Sequence, residues 1–260
     1  MMPAWNERYL GFKIATIHPD NPGKGLPSVH ATYQLKDRHT GQDLVWMNGE
    51  VLTRLRTAAA SALASSYLSR SDSSSLLMVG AGSLAIPLIE AHAAVRPIER
   101  VMVWNRSKDR IRALLRDSSR PIEIADTLAT SIAEADIISC ATLSTAPLVE
   151  YQWVSPGTHI DLVGAYRPDM RESDADLIAA SRVFVDTYEG AHGEAGDLLL
   201  ADNESDWSLS DIEADLETLC QREHGGRRDA EEITLFKSVG SSIEDLIAAS
   251  LAWERHQSGQ

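Results

Sequence analysis

The sequence predicts an α/β fold, a doubly wound parallel sheet together with a smaller α+β domain. Three observations predict it. An apolar run of strand length, residues 76–79, meets the tight turn Gly80-Ala81-Gly82-Ser83-Leu84-Ala85, and a helix-like pattern follows through Val95. A second apolar run, 101–104, ends at Asn105-Arg106-Ser107. Further apolar runs recur at similar intervals with helical stretches between them, and polar clusters stand at 105–107, 142–145 and 164–167, where those runs end. Ligands bind at the carboxyl ends of strands in such sheets.

The first strand and its turn have the geometry a dinucleotide needs. Gly80 lets the chain turn sharply, Gly82 lets backbone N–H groups approach a pyrophosphate, and the helix N-terminus offers its positive end to the anion. Ala85 stands where a third small residue lets helix and strand pack closely. A Rossmann-like unit is one reading of this pattern; an ordinary strand, turn and helix is the other. The second strand does not end in the Asp or Glu that binds a ribose 2′-hydroxyl in NAD enzymes. It ends in Asn105, Arg106, Ser107 and Lys108. A guanidinium and a hydroxyl suit a 2′-phosphate, which favours NADP(H) and leaves NAD(H) as the second choice. The alternative is that Arg106 and Lys108 are solvated surface charges.

Ahead of this region, residues 11–17 read as a strand, 18–27 as a Pro- and Gly-rich loop, 29–35 as an alternating strand, 37–41 as a turn and 44–47 as a third strand. Residues 50–67 form a long helix whose alanines suggest close packing. Arg56 and Thr57 lie in this small-residue helix. A buried Arg56 needs a partner, for which a ligand phosphate is one candidate; an exposed arginine on the polar face is the alternative. Beyond the turn, 112–116 continues a helix, 121–124 is a short strand, 127–134 a helix, 136–141 a strand, 153–158 a loop, and 159–163 and 182–185 strands. An acidic helix over 209–219, a loop at 225–229, a strand at 233–236 and an amphipathic helix over 243–253 complete the chain.

Composition excludes several classes. The 260 residues are 43% hydrophobic and carry a net charge of −14, which argues against nucleic acid as a partner. Residues 1–110 hold 13 basic and 9 acidic side chains, and the remainder hold 11 and 29. The basic excess coincides with the glycine turn, as anionic ligands require, although chance clustering gives the same count. Cys140 and Cys220 have neither metal nor redox spacing, so a reduced, cytoplasmic protein is expected. No apolar run spans a membrane, no secretory leader is evident at the start, and the scattered histidines form no metal motif. Without a G-x-S-x-G elbow, a serine hydrolase has little support. Asp161, Asp186 and Glu194 are candidate acids or bases, with structural pairing the better reading for Asp161 and Asp186.

Several segments together resemble the ornithine cyclodeaminase and mu-crystallin family. They are Gly11-Phe12-Lys13, Leu55-Arg56-Thr57-Ala58-Ala59, Gly80-Ala81-Gly82, Trp104-Asn105-Arg106, Gly164-Ala165 with Arg167-Pro168-Asp169-Met170-Arg171-Glu172, Glu194-Ala195-Gly196-Asp197 and Phe236-Lys237-Ser238-Val239-Gly240. They run in family order over nearly the whole chain. The resemblance is nearest to bacterial Δ1-pyrroline-2-carboxylate reductases and to ketimine reduction by mu-crystallin. It implies a homodimer of two-domain subunits: a substrate and dimerisation domain over 1–70, completed by the helix at 241–260, and a dinucleotide-binding domain over 71–240. It also implies roles. Lys13 is the catalytic residue beside the substrate carboxylate, with Arg56, Glu194 and Val239 in the substrate pocket. Ser28, Arg56, Thr57, Gly80, Gly82, Ser83 and Leu84 meet the cofactor, Asn105, Arg106 and Ser107 hold its adenosine ribose, and Thr142, Val163 and Ser238 line its nicotinamide half.

Two departures from the family pattern sharpen the expectation. Cyclodeaminases carry a catalytic Asp just past the Val-Gly strand end, and Tyr166 stands there in this chain. A phenol with a pKa of about 10 is a poor base at neutral pH, whereas reducing a protonated imine asks mainly for orientation. The sequence also begins at what resembles the tail of a leading family segment that bears an Arg for the carboxylate, which leaves Lys13 to that task. The expected activity is therefore NAD(P)H-dependent reduction of a cyclic ketimine carboxylate, such as Δ1-pyrroline-2-carboxylate to L-proline. The alternatives are a non-catalytic nucleotide- or ligand-binding protein and an ornithine cyclodeaminase.

Overall fold

The computed structural model describes residues 1–18, 20–26 and 29–259. The chain forms two compact units, Met1–Thr57 with Gly240–Gln260, and Ala58–Val239.

The first unit is an antiparallel sheet with helices. Strands β1 (Met2–Trp5), β2 (Tyr9–Ile17), β3 (Val29–Asp37) and β4 (Asp43–Asn48) pair in sequence order. Helix α1 (Gly49–Leu68) follows, and the C-terminal helix α9 (Ser242–Ser258) returns to the sheet. Ser241 caps α9 by accepting from Glu244 N–H, and Gly259 ends it in the left-handed conformation, φ 73°. Alternation splits the sheet into two faces. Tyr9, Tyr33 and Leu35 turn inward and pack with Leu52, Leu246 and Ala249. On the other face, register aligns Trp5 with Leu10, and Phe12 with Gln34 and so with Trp46. Trp5 and Trp46 are 58% and 57% exposed there. Strand β1 is absent from the sequence reading. Its four residues include a proline, and it exists through pairing with β2 rather than through any pattern of its own.

The second unit is the doubly wound sheet. Its elements in order are β5 (Ser75–Val79), α2 (Ala85–Val95), β6 (Arg100–Trp104), α3 (Lys108–Asp117), β7 (Glu123–Ile124), α4 (Leu128–Ala133), β8 (Ile137–Cys140), β9 (His159–Leu162), α5 (Ala175–Ala180), β10 (Arg182–Val185), α6 (Tyr188–Glu194), α7 (Gly196–Glu204), β11 (Ala214–Asp215), α8 (Leu216–Cys220) and β12 (Thr234–Lys237). The strands lie in the order β11-β10-β12-β9-β8-β5-β6-β7, and all pairs are parallel. Residues of β8, β9, β10 and β12 are buried on both faces, and polar ones among them, His159, Asp161, Thr234 and Lys237, have partners inside the fold. The order reverses at β5: β6 and β7 lie on one side, β8 and β9 on the other. That switch point is where a doubly wound sheet opens a crevice.

Two sequence expectations change. The acidic helix over 209–219 shrinks to α8, because Ala214 and Asp215 pair with β10 and Asp215 then caps a five-residue helix through Thr218 N–H. The units divide at Thr57/Ala58 rather than at residue 70: Ala60, Ala64 and Leu68 of α1 pack with Phe184 and Phe236 of the parallel sheet. No described helix is long and apolar enough to cross a membrane.

Candidate active site

In the second unit, most residues assigned to a cofactor fall along one edge, the carboxyl ends of β12, β9, β8, β5 and β6. Gly80 takes φ +114°, and a Cβ there would lie 2.6 Å from the carbonyl oxygen of Ala141. Only glycine fits where β5 and the end of β8 come this close. Gly82 and Ser83 are exposed, and among the described residues a Cβ on Gly82 would meet no atom within 4 Å beyond its two chain neighbours. The turn thus leaves space over Gly82 at the start of α2, the cradle a pyrophosphate needs; the residues fit a dinucleotide. Leu84 stands at the N-cap of α2, and Ala85 is fully buried, as close packing of helix and strand requires.

At the end of β6, Asn105 turns back to the glycine loop. Its Oδ1 accepts from Ala81 N–H at 3.2 Å and its Nδ2 donates to Ser107 O at 3.0 Å. The side chain holds the turn in place, whereas Arg106 and Ser107 are exposed. At the end of β8, Thr142 donates both its N–H and its hydroxyl to Glu172 Oε1, at 2.6 and 2.8 Å. Val163 follows β9 and is nearly buried. Past β12, the Ser238 hydroxyl and Val239 N–H donate to Asp186 Oδ2 at 3.1 and 2.9 Å. Asp186 is therefore a structural partner. So is Asp161, buried where it accepts from Ser139 Oγ at 2.7 Å and faces His92 Nε2 at 3.2 Å. Burial pushes the Asp161 carboxyl up, but His92 and Ser139 hold it below the ordinary carboxylate range. Glu194 ends α6 exposed to solvent; two residues on, Gly196 N–H donates to Ala165 O at 3.0 Å.

In the first unit, Lys13 and Arg56 are 5% and 8% exposed. Both meet α9. Lys13 Nζ and Arg56 Nε each lie 3.2 Å from Asp245 Oδ1, and Arg56 Nη1 lies 2.9 Å from Glu244 Oε2. Of the two sequence readings of Arg56 the exposed one is excluded: the side chain is buried and bonds to two carboxylates of the chain. Burial lowers the pKa of Lys13, while Asp245 works against that shift. An ammonium so placed can bind a carboxylate and gives up its proton more readily than a solvated lysine. Glu244 and Asp245 also sit in the first turn of α9, where negative charge complements the helix dipole. Thr57 is buried one residue beyond Arg56, and Ser28 lies outside the described residues.

Sequence reasoning missed the two α9 carboxylates. Their signal is weak: two acids opening a helix, which is common. It also quoted Glu172, Asp197 and Lys237 without a role, yet all three are buried and bonded to one another or to the strand ends.

A parallel sheet with a glycine turn at its switch point defines the class, a dinucleotide-binding protein of the Rossmann type. The family model of the ornithine cyclodeaminase/mu-crystallin family matches residues 1–260, and the chain belongs to that family. A Delta(1)-pyrroline-2-carboxylate reductase of Colwellia psychrerythraea is 40% identical over 262 residues, 98% of this chain and 83% of that protein. Among solved structures, the Thermococcus litoralis Delta(1)-pyrroline-2-carboxylate reductase in complex with NADH and L-proline matches with a TM-score of 0.91 at 36% identity, over 96% of this chain and 79% of that one. An archaeal alanine dehydrogenase dimer with bound NAD also matches with a TM-score of 0.91, at 30% identity over 99% of this chain and 80% of that one.

Proposed function

We propose that the chain is an NAD(P)H-dependent imine reductase that converts a cyclic ketimine carboxylate, such as Δ1-pyrroline-2-carboxylate, to the cyclic amino acid, L-proline. One observation carries the reading: the same chain has a glycine turn with space over Gly82 and a buried lysine held by Asp245. The nicotinamide, when bound, supplies a hydride. Gly80, Gly82, Ser83 and Leu84 hold the pyrophosphate, and Thr142, Val163 and Ser238 line the ring. Lys13 and Arg56 hold the substrate carboxylate, and Lys13 keeps the imine nitrogen protonated, which makes its carbon electrophilic. The imine carbon gains the hydride, the C=N bond becomes a C–N bond, and the nitrogen keeps its proton. Tyr166, 42% exposed where a cyclodeaminase has its Asp, supports reduction over cyclodeamination.

NADP(H) is the preferred cofactor in this reading, because β6 ends without a carboxylate and exposes Arg106 and Ser107. The working form is a homodimer in the cytoplasm, where the unpaired Cys140 and Cys220 stay reduced. The exposed sheet face with Trp5, Phe12 and Trp46 supports the dimer, since isolated domains seldom leave such a face in water. The test mixes the protein with Δ1-pyrroline-2-carboxylate and NADPH or NADH and follows reduced-nicotinamide absorbance. Oxidation matched by L-proline is expected. Cofactor binding without turnover on any cyclic imine, or ammonia release from ornithine with NAD, would overturn the proposal in favour of a binding protein or a cyclodeaminase.

A further inference from the structure

Glu172, Asp197 and Lys237 are each enclosed to 1% exposure or less behind the ends of β8, β9 and β12. Glu172 bonds to strand ends. Its Oε1 accepts the two Thr142 donors, and its Oε2 accepts Gly164 N–H at 2.7 Å. Thr142 is the second residue past β8 and Gly164 the second past β9. One carboxylate thus joins equivalent positions of two neighbouring strands. Gly164 has no room for a side chain, because a Cβ would lie 2.5 Å from Glu172 Oε1.

The carboxylate is braced from behind. The N–H groups of Glu172 and Ser173 donate to Asp197 Oδ1 at 2.6 and 3.0 Å. Asp197 Oδ2 lies 3.2 Å from Lys237 Nζ, and Lys237 Nζ donates to Gly164 O. The ring closes on the residue where it began, spanning β8, β9 and β12. Buried charges are an expensive way to stabilise a core, and apolar side chains often serve as well. What they add here is direction, since each oxygen fixes a named backbone group.

We propose that Glu172 is a positioning residue that ties the ends of β8 and β9 into the arrangement that receives the nicotinamide half of the dinucleotide, with Asp197 and Lys237 bracing it. The proposal rests on the dinucleotide reading above for its purpose, though not for the tie itself. The tie is strongest to the ionised carboxylate, because protonation removes the charge that strengthens its three hydrogen bonds. Burial, with the charge of Asp197 added and Lys237 opposing, pushes the Glu172 carboxyl up to about 7. The charged and titratable groups facing it are Asp197 of α7, Lys237 of β12 and the buried Cys140 thiol of β8. Dinucleotide affinity should therefore weaken as pH falls below neutrality.

The test compares wild type with Glu172→Gln by amide exchange without cofactor and by NADH titration across pH. NADH is the probe because it lacks a 2′-phosphate that would titrate in the same range. The expected result is exchange at Thr142 and Gly164 about tenfold faster in the variant, and NADH binding at alkaline pH about tenfold weaker, with the wild-type loss below neutrality abolished. A purely structural role would lower the melting temperature without changing the pH profile. A folded Glu172→Gln with wild-type exchange, or with wild-type NADH affinity and pH profile, overturns the proposal. If that variant does not fold, Thr142→Val deletes one donor to Glu172 and is read by amide exchange alone: faster exchange at Gly164 is expected, and wild-type exchange overturns the proposal. If wild type binds no NADH, the proposed function fails, while exchange at Thr142 and Gly164 still decides whether the tie exists.

Discussion

Substituting the two glycines of the turn separately distinguishes a glycine required by the chain from one required by a ligand. In Gly80→Ala the new methyl sits at φ +114° and 2.6 Å from a backbone oxygen, which cannot rotate aside. A backbone conformation of this kind costs about 1–3 kcal/mol and overpacking about 1–3 kcal/mol more, a large share of the roughly 5–15 kcal/mol that holds a domain together. The expected result is a marked fall in melting temperature or failure to fold. In Gly82→Ala the methyl meets nothing within 4 Å among the described residues beyond its two chain neighbours, and the backbone is outside the left-handed region. Stability should stay within about 0.5 kcal/mol of wild type. Affinity should not. A pyrophosphate lying on the turn meets that methyl and loses a charge-assisted hydrogen bond of about 1.5–3 kcal/mol, roughly 10- to 150-fold in Kd. Thermal melts of both variants, with NADPH and NADH fluorescence titrations of Gly82→Ala, measure the two effects. A Gly82→Ala protein that melts and binds dinucleotide like wild type would refute the placement of phosphate on this turn.

Asp245→Asn should cost about 3–5 kcal/mol in urea denaturation by leaving Lys13 and Arg56 short of counter-charge, and adding Lys13→Met should recover part of it. The same change should lower the pKa of Lys13 further, which an acid–base titration of the lysine would detect. Burial holds His159 at about 3 and therefore neutral in the fold. The unfolded chain takes up that proton below about pH 6.5 and the folded chain does not, so His159 should remove stability, on the order of a few kcal/mol, as pH falls from 6.5 towards 3. Glu172 has the opposite sign between its unfolded pKa and about 7, so the measurement is the difference between wild type and His159→Gln in denaturant at neutral and acid pH. Arg106→Ala should weaken NADPH about tenfold and NADH hardly at all, by side-by-side titration.

The central parallel strands β5, β6 and β8 were legible because they are largely buried on both faces and read as apolar runs, and the switch-point turn was legible because glycine is needed where Gly80 meets the end of β8. What the sequence hid depends on contact between distant segments. Ala214 and Asp215 look helical among acidic neighbours until β10 offers a parallel partner. The helices α6 and α7 carry glycines at 190, 193 and 196, which lower helix propensity, and caps and packing override that cost. Lys13 was singled out by its motif, but its partner lies 232 positions away. Asn105 was assigned to a ribose through the family resemblance; its amide also braces the glycine turn, a contact that nothing in the local pattern reveals.

Charge shows most clearly how chain order and spatial order differ. The basic excess of the first 110 residues suggests a surface that draws anions. Two of its cations, Lys13 and Arg56, are buried instead, and the acidic C-terminal part of the chain returns Glu244 and Asp245 to them. Two carboxylates stand against these two cations, so little of their charge is left to draw an anion. What remains is geometry. Lys13 carries three N–H donors, and Asp245 is within hydrogen-bond distance of the nitrogen on one side. A substrate carboxylate would be recognised by joining a lysine already oriented by Asp245, a form of selection that depends on direction and is little screened by salt. The exposed Arg106 has no such built partner to orient it and would meet a phosphate from solvent. In the proposed reading the chain would thus use one kind of anion contact that is built and buried and another that is solvated. The built contact suits the end of a substrate that must be aligned, and the solvated one suits the end of a cofactor that need only be held.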